Sequence, residues 1–242
     1  MTFWDHLDVL RASIIRIILA FVVVAFALFP FKSFLFDSLI LAPTSSDFWL
    51  YKLIGTDFSL SLVNIEVTTQ FMIHMKMTLL CALVLTFPYV IYLVWDFIKP
   101  ALYVDEKKAL RKAFLLASVL FYVGVVVSYM IIIPLMLNFF SDYQVSSEVP
   151  NMFSLSSYIS LFTSMLLTFG IVFEFPTLTL LLSSLGLLHK ETMKKYRKHA
   201  ICAIVILAAV ITPSGDPFSL AIVALPIYVL YEFSILICKS RL

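Results

Sequence analysis

One carboxylate stands where the surrounding chain offers it no water. Glu174 lies in Phe169-Gly-Ile-Val-Phe-Glu-Phe-Pro176, directly after a stretch, 149–173, without Asp, Glu, Lys or Arg. A charge in an apolar span is costly, so it faces a partner, a cavity or another helix. Two chemistries suit it: a polar docking point for another transmembrane segment, or a proton site. The plainer alternative is a protonated acid bonded to a neighbouring helix; the membrane rule favours a functional role. Glu232, near the end of the last apolar run, fits a snorkelling or lysine-paired role almost as well as a functional one. His74 and Lys76 suit interfacial anchors, and Asp96, one turn before a basic stretch, suits a surface carboxylate.

Catalysis has little support. His6, His74, His189 and His199 are scattered, with no His-Glu-x-x-His motif, no Gly-x-Ser-x-Gly elbow and no phosphate-binding glycine loop. Cys81, Cys202 and Cys238 lie in apolar stretches without metal-ligand spacing and fit small core residues rather than a disulfide framework. Phe121, Tyr122 and Tyr129 suit packing or interfacial anchoring. These residues point away from an enzyme, and no cofactor or metal is implied.

The elements that must position Glu174 are long apolar helices. Residues 17–31, 77–95, 113–141 and 149–173 are uncharged. The last three can cross a ~30 Å hydrocarbon core at ~1.5 Å per residue, and Ile14 and Ile15 extend the first to that length. The chain is 62% hydrophobic and 13% charged, with mean hydropathy +1.04, which excludes an ordinary soluble domain, where charged residues approach about a quarter. Its 242 residues form one integral membrane domain, and a net charge of +2 says little because the charges are segregated.

That segregation gives the topology. All Lys and Arg residues except Lys32, Lys52 and Lys76 fall at the N-terminus, in 99–112, in 190–198 or at Lys239 and Arg241, whereas 37–66 and 142–148 are acidic. Short basic loops stay cytoplasmic, so both termini are expected inside and 32–67 and 141–153 outside. Ala25-x-Ala27 mimics a signal-peptide cleavage site, but Asp5 and Asp8 spoil a cationic lead and the apolar run continues to Phe31, so a retained span is expected. Residues 154–188 must cross an odd number of times and suit one long helix kinked near Pro176. Thr212-Pro-Ser-Gly-Asp-Pro217 is a turn, and Ala200–Ile211 is too short to span, so the last hairpin is expected to stop short of the outer surface and thin the bilayer; a re-entrant hairpin is the alternative. The expected helices cover about 14–31, 68–98, 110–138, 154–188, 200–212 and 217–238, in an all-α fold with the last two short. Residues 32–67 are long enough for an outer cap with short helices. Residues 2–13 form an amphipathic lead-in, with Phe3, Leu7, Leu10 and Ile14 on one face. No internal repeat suggests an inverted-repeat transporter.

A set of motifs in this order resembles one family. They are His6-Leu-Asp-Val-Leu-Arg11, Pro88-Tyr-Val-Ile-Tyr-Leu-Val-Trp-Asp-Phe-Ile-Lys-Pro-Ala-Leu-Tyr103 followed by Glu106, Leu120-Phe-Tyr-Val-Gly124, Tyr129 with Pro134, Phe169–Pro176, Ile211-Thr-Pro-Ser-Gly-Asp-Pro-Phe-Ser219 and Pro226-Ile-Tyr-Val-Leu-Tyr-Glu232. From about residue 6 to 238 the chain looks like TatC, the multispanning signal-peptide receptor subunit of the twin-arginine (Sec-independent) protein translocase. The resemblance implies six helices in a concave, glove-like bundle, in the bacterial inner membrane. It implies binding of twin-arginine signal peptides and assembly with small single-span subunits of the TatA/TatB type. A homo-oligomeric receptor complex and export of folded cargo on the proton-motive force follow from the same resemblance. Neither nucleic acid nor cofactor is implied.

The same resemblance assigns residues. Signal-peptide binding falls to Glu106, Arg11, Asp8 and Phe97; docking or intramembrane polar roles fall to Glu174, Glu232 and Asp216; structural roles fall to Pro43, Pro88, Pro134 and Pro176. A carboxylate suits arginine because it can accept two parallel guanidinium N–H bonds; without the resemblance, Glu106 beside Lys107 and Lys108 would be a solvated loop acid. The chain departs from the pattern at Val9, where the family has a glutamate, and at Leu220, where it often has a glutamine. Asp8 is adjacent but points about 100° away on a helix, and Asp5 is one turn earlier; either could substitute. The competing functional classes are a proton- or ion-coupled small-solute transporter working through Glu174 and Glu232, and a membrane scaffold without transport.

Overall fold

With apolar residues on every face and no charge from 17 to 31, the first helix must be covered by lipid or a partner. In the computed structural model α1 (Phe3–Leu28) is accordingly exposed, only 11% of its spanning window being buried. The structure describes residues 3–56, 58–101, 104–146, 148, 151–212 and 215–238; the side chains of residues 3, 5, 101, 104–106 and 108–110 are outside the description. The lead-in expected before residue 14 is continuous with α1, because nothing in 3–13 breaks a helix.

The segment that follows folds as a small cap. A π-helical turn (Phe34–Ile40) and a 3-10 turn (Ala42–Thr44) lead to α2 (Trp49–Ile54), which ends at Gly55 with φ +73°. Such a left-handed position suits glycine. Then β1 (Leu62–Val63) pairs in parallel with β2 (Phe153–Ser154), Leu62 opposite Phe153. This two-residue ladder, unanticipated in an all-α reading, ties together the two segments expected outside.

α3 (Thr69–Ile98) packs along α1 and carries Pro88 in its interior. A 3-10 turn (Lys99–Ala101) precedes α4 (Val104–Val127), which continues through a π-helical turn (Ser128–Ile132) into α5 (Ile133–Asp142). The helix begins at Val104 rather than at 110, so Glu106 stands in a first helical turn and not in a loop. Lys, Ala, Leu and Arg, which follow in the sequence, are good helix formers. The widened turn at 128–132 precedes Pro134, whose missing N–H frees a carbonyl one turn earlier.

The stretch expected as one kinked helix is α6 (Leu155–Val172) and α7 (Phe175–Ser184), interrupted at Phe173–Glu174. Pro176 sits in the first turn of α7, where the absent N–H costs nothing. α4 packs on both α6 and α7. The approach is close because Gly124 and Gly170 lack side chains: a Cβ on Gly124 would lie 2.8 Å from the Phe173 ring, and one on Gly170 2.8 Å from the Phe121 ring.

The chain ends in α8 (Lys190–Lys195), α9 (Arg197–Ile211) and α10 (Pro217–Ile237), with α10 packed on α9 and α7. α9 has 15 residues and rises about 22 Å, short of the core. α10 has 21 residues and rises about 31 Å, so the expectation of two short helices is corrected to one. Its apolar sequence runs unbroken through Pro226. Among the described residues, five helical stretches are long and apolar enough to span: His6–Leu28, Thr69–Ile98, Arg111–Asp142, Leu155–Ser184 and Pro217–Ile237.

Candidate functional site

Two clusters of the expected residues can be placed. The first lies where the start of α1 meets the end of α3. The His6 ring stacks on Phe97 with centroids 4.2 Å apart and planes at 23°. Asp8 and Arg11, on the same stretch of α1, are exposed, and neither belongs to an ion pair among the described residues. Val9, in the position where a carboxylate is expected, is half-buried. Asp96 is engaged elsewhere: it pairs with Lys99, and its hydrogen bond and charge raise the Lys99 pKa above the usual lysine value. Glu106 is on the first turn of α4, three residues beyond the end of the motif that closes α3; its side chain, like that of Asp5, is outside the description.

The second cluster surrounds Glu174, at the break between α6 and α7. Its Oε1 is buried, as is the Oγ1 of Thr177 one turn on, and neither makes a hydrogen bond of good geometry, although Thr177 and the Phe121 backbone lie close enough to the carboxyl group to interact with it. The plainer sequence alternative, a protonated acid bonded to a neighbouring helix, has a partner at hand in the Phe121 backbone of α4. The polar neighbours are Thr177 and the Phe121 backbone. A carboxyl group in such a place gains much from any added donor, acceptor or proton, since an unmet buried polar group costs about 1–3 kcal/mol.

The other polar residues of that group are already satisfied. Glu232 Oε2 accepts from Arg197 Nη2 at 2.6 Å, and Tyr228 donates to Oε1 at 3.2 Å. Its partner is thus an arginine, not a lysine. Asp216 caps α10, accepting from the Ser219 N–H at 2.8 Å. The four prolines do local structural work. Tyr51 Oη donates to the Pro43 carbonyl at 2.8 Å and lies 3.4 Å from that of Pro134, joining the cap to the span below it. Pro88 leaves the Val84 carbonyl without its helical donor, and Tyr122 of α4 supplies one at 3.1 Å.

The sequence reading missed Tyr51, Tyr158, the hydrogen-bonding role of Tyr129, and Arg197. Tyr158 donates to the Ile40 carbonyl, and Tyr129 to that of Leu39 at 2.8 Å. The available signal was chemical: a buried phenol needs a hydrogen-bond partner, and a cap made of broken turns exposes carbonyls.

Apolar helices of spanning length, with exposed charges at one end and a buried carboxyl oxygen at the break between two of them, define a polytopic helical membrane protein. A family profile described as Sec-independent protein translocase protein (TatC) matches residues 5–226. The TatC protein of Blattabacterium sp. subsp. Periplaneta americana is 36% identical over 252 residues, covering 98% of this chain and 94% of that one. The TatC protein of Deinococcus radiodurans is 30% identical over 236 residues, covering 98% and 85%. The crystal structure of the twin-arginine translocase receptor TatC in DDM matches with TM-score 0.79 at 28% identity, covering 97% of this chain and 99% of that one. The chain belongs to the TatC family. It is a non-enzymatic component of a protein translocase and a multi-pass membrane protein, for which the bacterial inner membrane is the fitting location.

Proposed function

We propose that this protein is the receptor subunit of a twin-arginine translocase, recognising the paired arginines of a signal peptide at the face formed by the starts of α1 and α4 and the end of α3. The observation that carries the reading is the His6–Phe97 stack, which brings the amino-terminal helix against the segment leading to Glu106. Asp8 and Glu106 would accept guanidinium N–H bonds, Phe97 would bound the site on its apolar side, and Arg11, three residues from Asp8, shares its helix face. With the basic segments kept inside, the proposed topology has both termini in the cytoplasm and six crossings in a concave, glove-like bundle, the short α9 thinning the bilayer. Glu174 then serves as the polar contact for a single-span TatA/TatB-type subunit. Copies of the receptor assemble with such subunits to move folded cargo on the proton-motive force. The transporter alternative is disfavoured by the ion pair of Glu232 with Arg197.

The test is photocrosslinking of the purified protein, carrying a photoreactive residue at Phe97, to a twin-arginine signal peptide and to the same peptide with paired lysines. Crosslinks to the arginine form alone are expected; equal crosslinking of both would overturn the reading.

A further inference from the structure

The groove between α3 and α4 adjoins the proposed recognition face but has a chemistry of its own. It encloses about 720 Å³. Tyr92 and Trp95 line it from α3, and Lys107, Arg111, Phe114 and Leu115 from α4. These positions recur at three- and four-residue intervals, so each set forms one stripe facing the other. From Lys107 to Ser118 the groove runs about 16 Å along α4, roughly half of a ~30 Å hydrocarbon core, which is the depth of a single leaflet. Beyond Pro88 and Ser118, Tyr122 of α4 donates to the Val84 carbonyl of α3 and ties the two helices together.

Its two ends differ in chemistry. Lys107 and Arg111, four residues apart on one helix face, are both exposed and belong to no ion pair among the described residues. Below them the walls are aromatic and aliphatic, and Tyr92 (59%) and Leu115 (64%) are open to the surroundings at the rim. Two cations repel a twin-arginine segment, and a free phosphate makes no use of the apolar length. An amphiphile with an anionic head and a hydrocarbon tail satisfies both ends. We infer that this groove binds one anionic phospholipid, its phosphate held by Lys107 and Arg111 and an acyl chain lying between Trp95 and Leu115. The leaflet, the cytoplasmic one, follows from the topology proposed above; the chemistry of the groove stands without it. Basic pockets between transmembrane helices commonly hold anionic headgroups.

The test uses the full chain with Trp4→Phe and Trp49→Phe, so that Trp95 is the only fluorophore of its kind. The protein is reconstituted in phosphatidylcholine vesicles containing a minority of acyl-brominated phosphatidylglycerol or acyl-brominated phosphatidylcholine. Trp95 quenching should show a preference for phosphatidylglycerol on the order of tenfold or more, as two basic side chains at a membrane surface provide. Lys107→Gln with Arg111→Gln should abolish the preference while leaving quenching by brominated phosphatidylcholine unchanged, which also shows that the variant is folded. Lys194→Gln with Lys195→Gln should retain it, and added inorganic phosphate should not displace the lipid. Equal quenching by the two lipids, equal loss in the 194/195 variant, or displacement by phosphate would each overturn the inference. No signal peptide is present, so the outcome is independent of the proposed receptor function.

Discussion

The cap and the opposite face of the bundle are built on contrasting terms. In the cap, tyrosines from three separate elements reach backbone carbonyls of broken turns: Tyr51 to Pro43, Tyr129 to Leu39, Tyr158 to Ile40. Tyr51 is 1% exposed, and burial pushes its hydroxyl above the usual phenol pKa. At the other end, Asp8, Arg11, Lys107 and Arg111 are exposed and in no ion pair among the described residues. Satisfied polar groups rigidify; exposed charges without a protein partner are available to a ligand. The cap thus preserves the helix arrangement, while the opposite face keeps charges free for the recognition proposed above.

The comparison is sharpened by substitutions whose stability effects should descend from one region to the other. Tyr51→Ala removes a buried aromatic ring and should lower stability by about 4 kcal/mol, measured as thermal unfolding in detergent. Tyr51→Phe keeps the ring but strands the Pro43 carbonyl and should cost about 1–2 kcal/mol in the same assay. Arg197→Gln breaks a half-exposed ion pair with Glu232 and should cost roughly 0.2–1 kcal/mol. Asp8→Asn, on the recognition face, should change stability by less than about 0.5 kcal/mol yet weaken signal-peptide binding if Asp8 stands in for the carboxylate missing at Val9; Val9→Glu then adds little. If Asp8→Asn destabilises as much as Tyr51→Phe, the division between the two regions fails.

Orientation is a separate way to break the account. In a background lacking Cys81, Cys202 and Cys238, a cysteine at Ser46 should react with an impermeant label added outside, and one at Lys195 should not. Equal or reversed labelling contradicts the proposed six-crossing topology.

The helices were legible because hydrocarbon dictates them: uncharged runs at 77–95, 113–141 and 149–173 have one stable solution in lipid. Helix ends were less so. α4 began at Val104 because the good helix formers from 107 to 112 extend the helix outward from the apolar run, and α10 reached spanning length because Pro226 did not end it. The cap was recognisable as a region of short helices, but not its tyrosine bridges or its β1–β2 ladder, which join residues far apart in sequence. At the site, Glu174 was evident from cost alone, since it follows directly on the uncharged run 149–173, far from any basic segment. Glu232 and Asp216 looked similar by type, but their partners, Arg197 and the Ser219 N–H, come from folding and capping geometry that composition does not encode. His6 and Phe97 were both within recognised motifs, while their stacking depends on how α1 crosses α3.

The most direct measurement is the affinity of a twin-arginine signal peptide for Glu106→Gln, at low and moderate salt, beside the unaltered protein. The account expects the variant to fold and insert normally and to lose binding on the order of 1.5–3 kcal/mol, roughly ten- to a hundredfold, as one charge-assisted bond to arginine is weakened. Unchanged affinity at both salt concentrations would contradict it, leaving Glu106 a solvated acid in the first turn of α4.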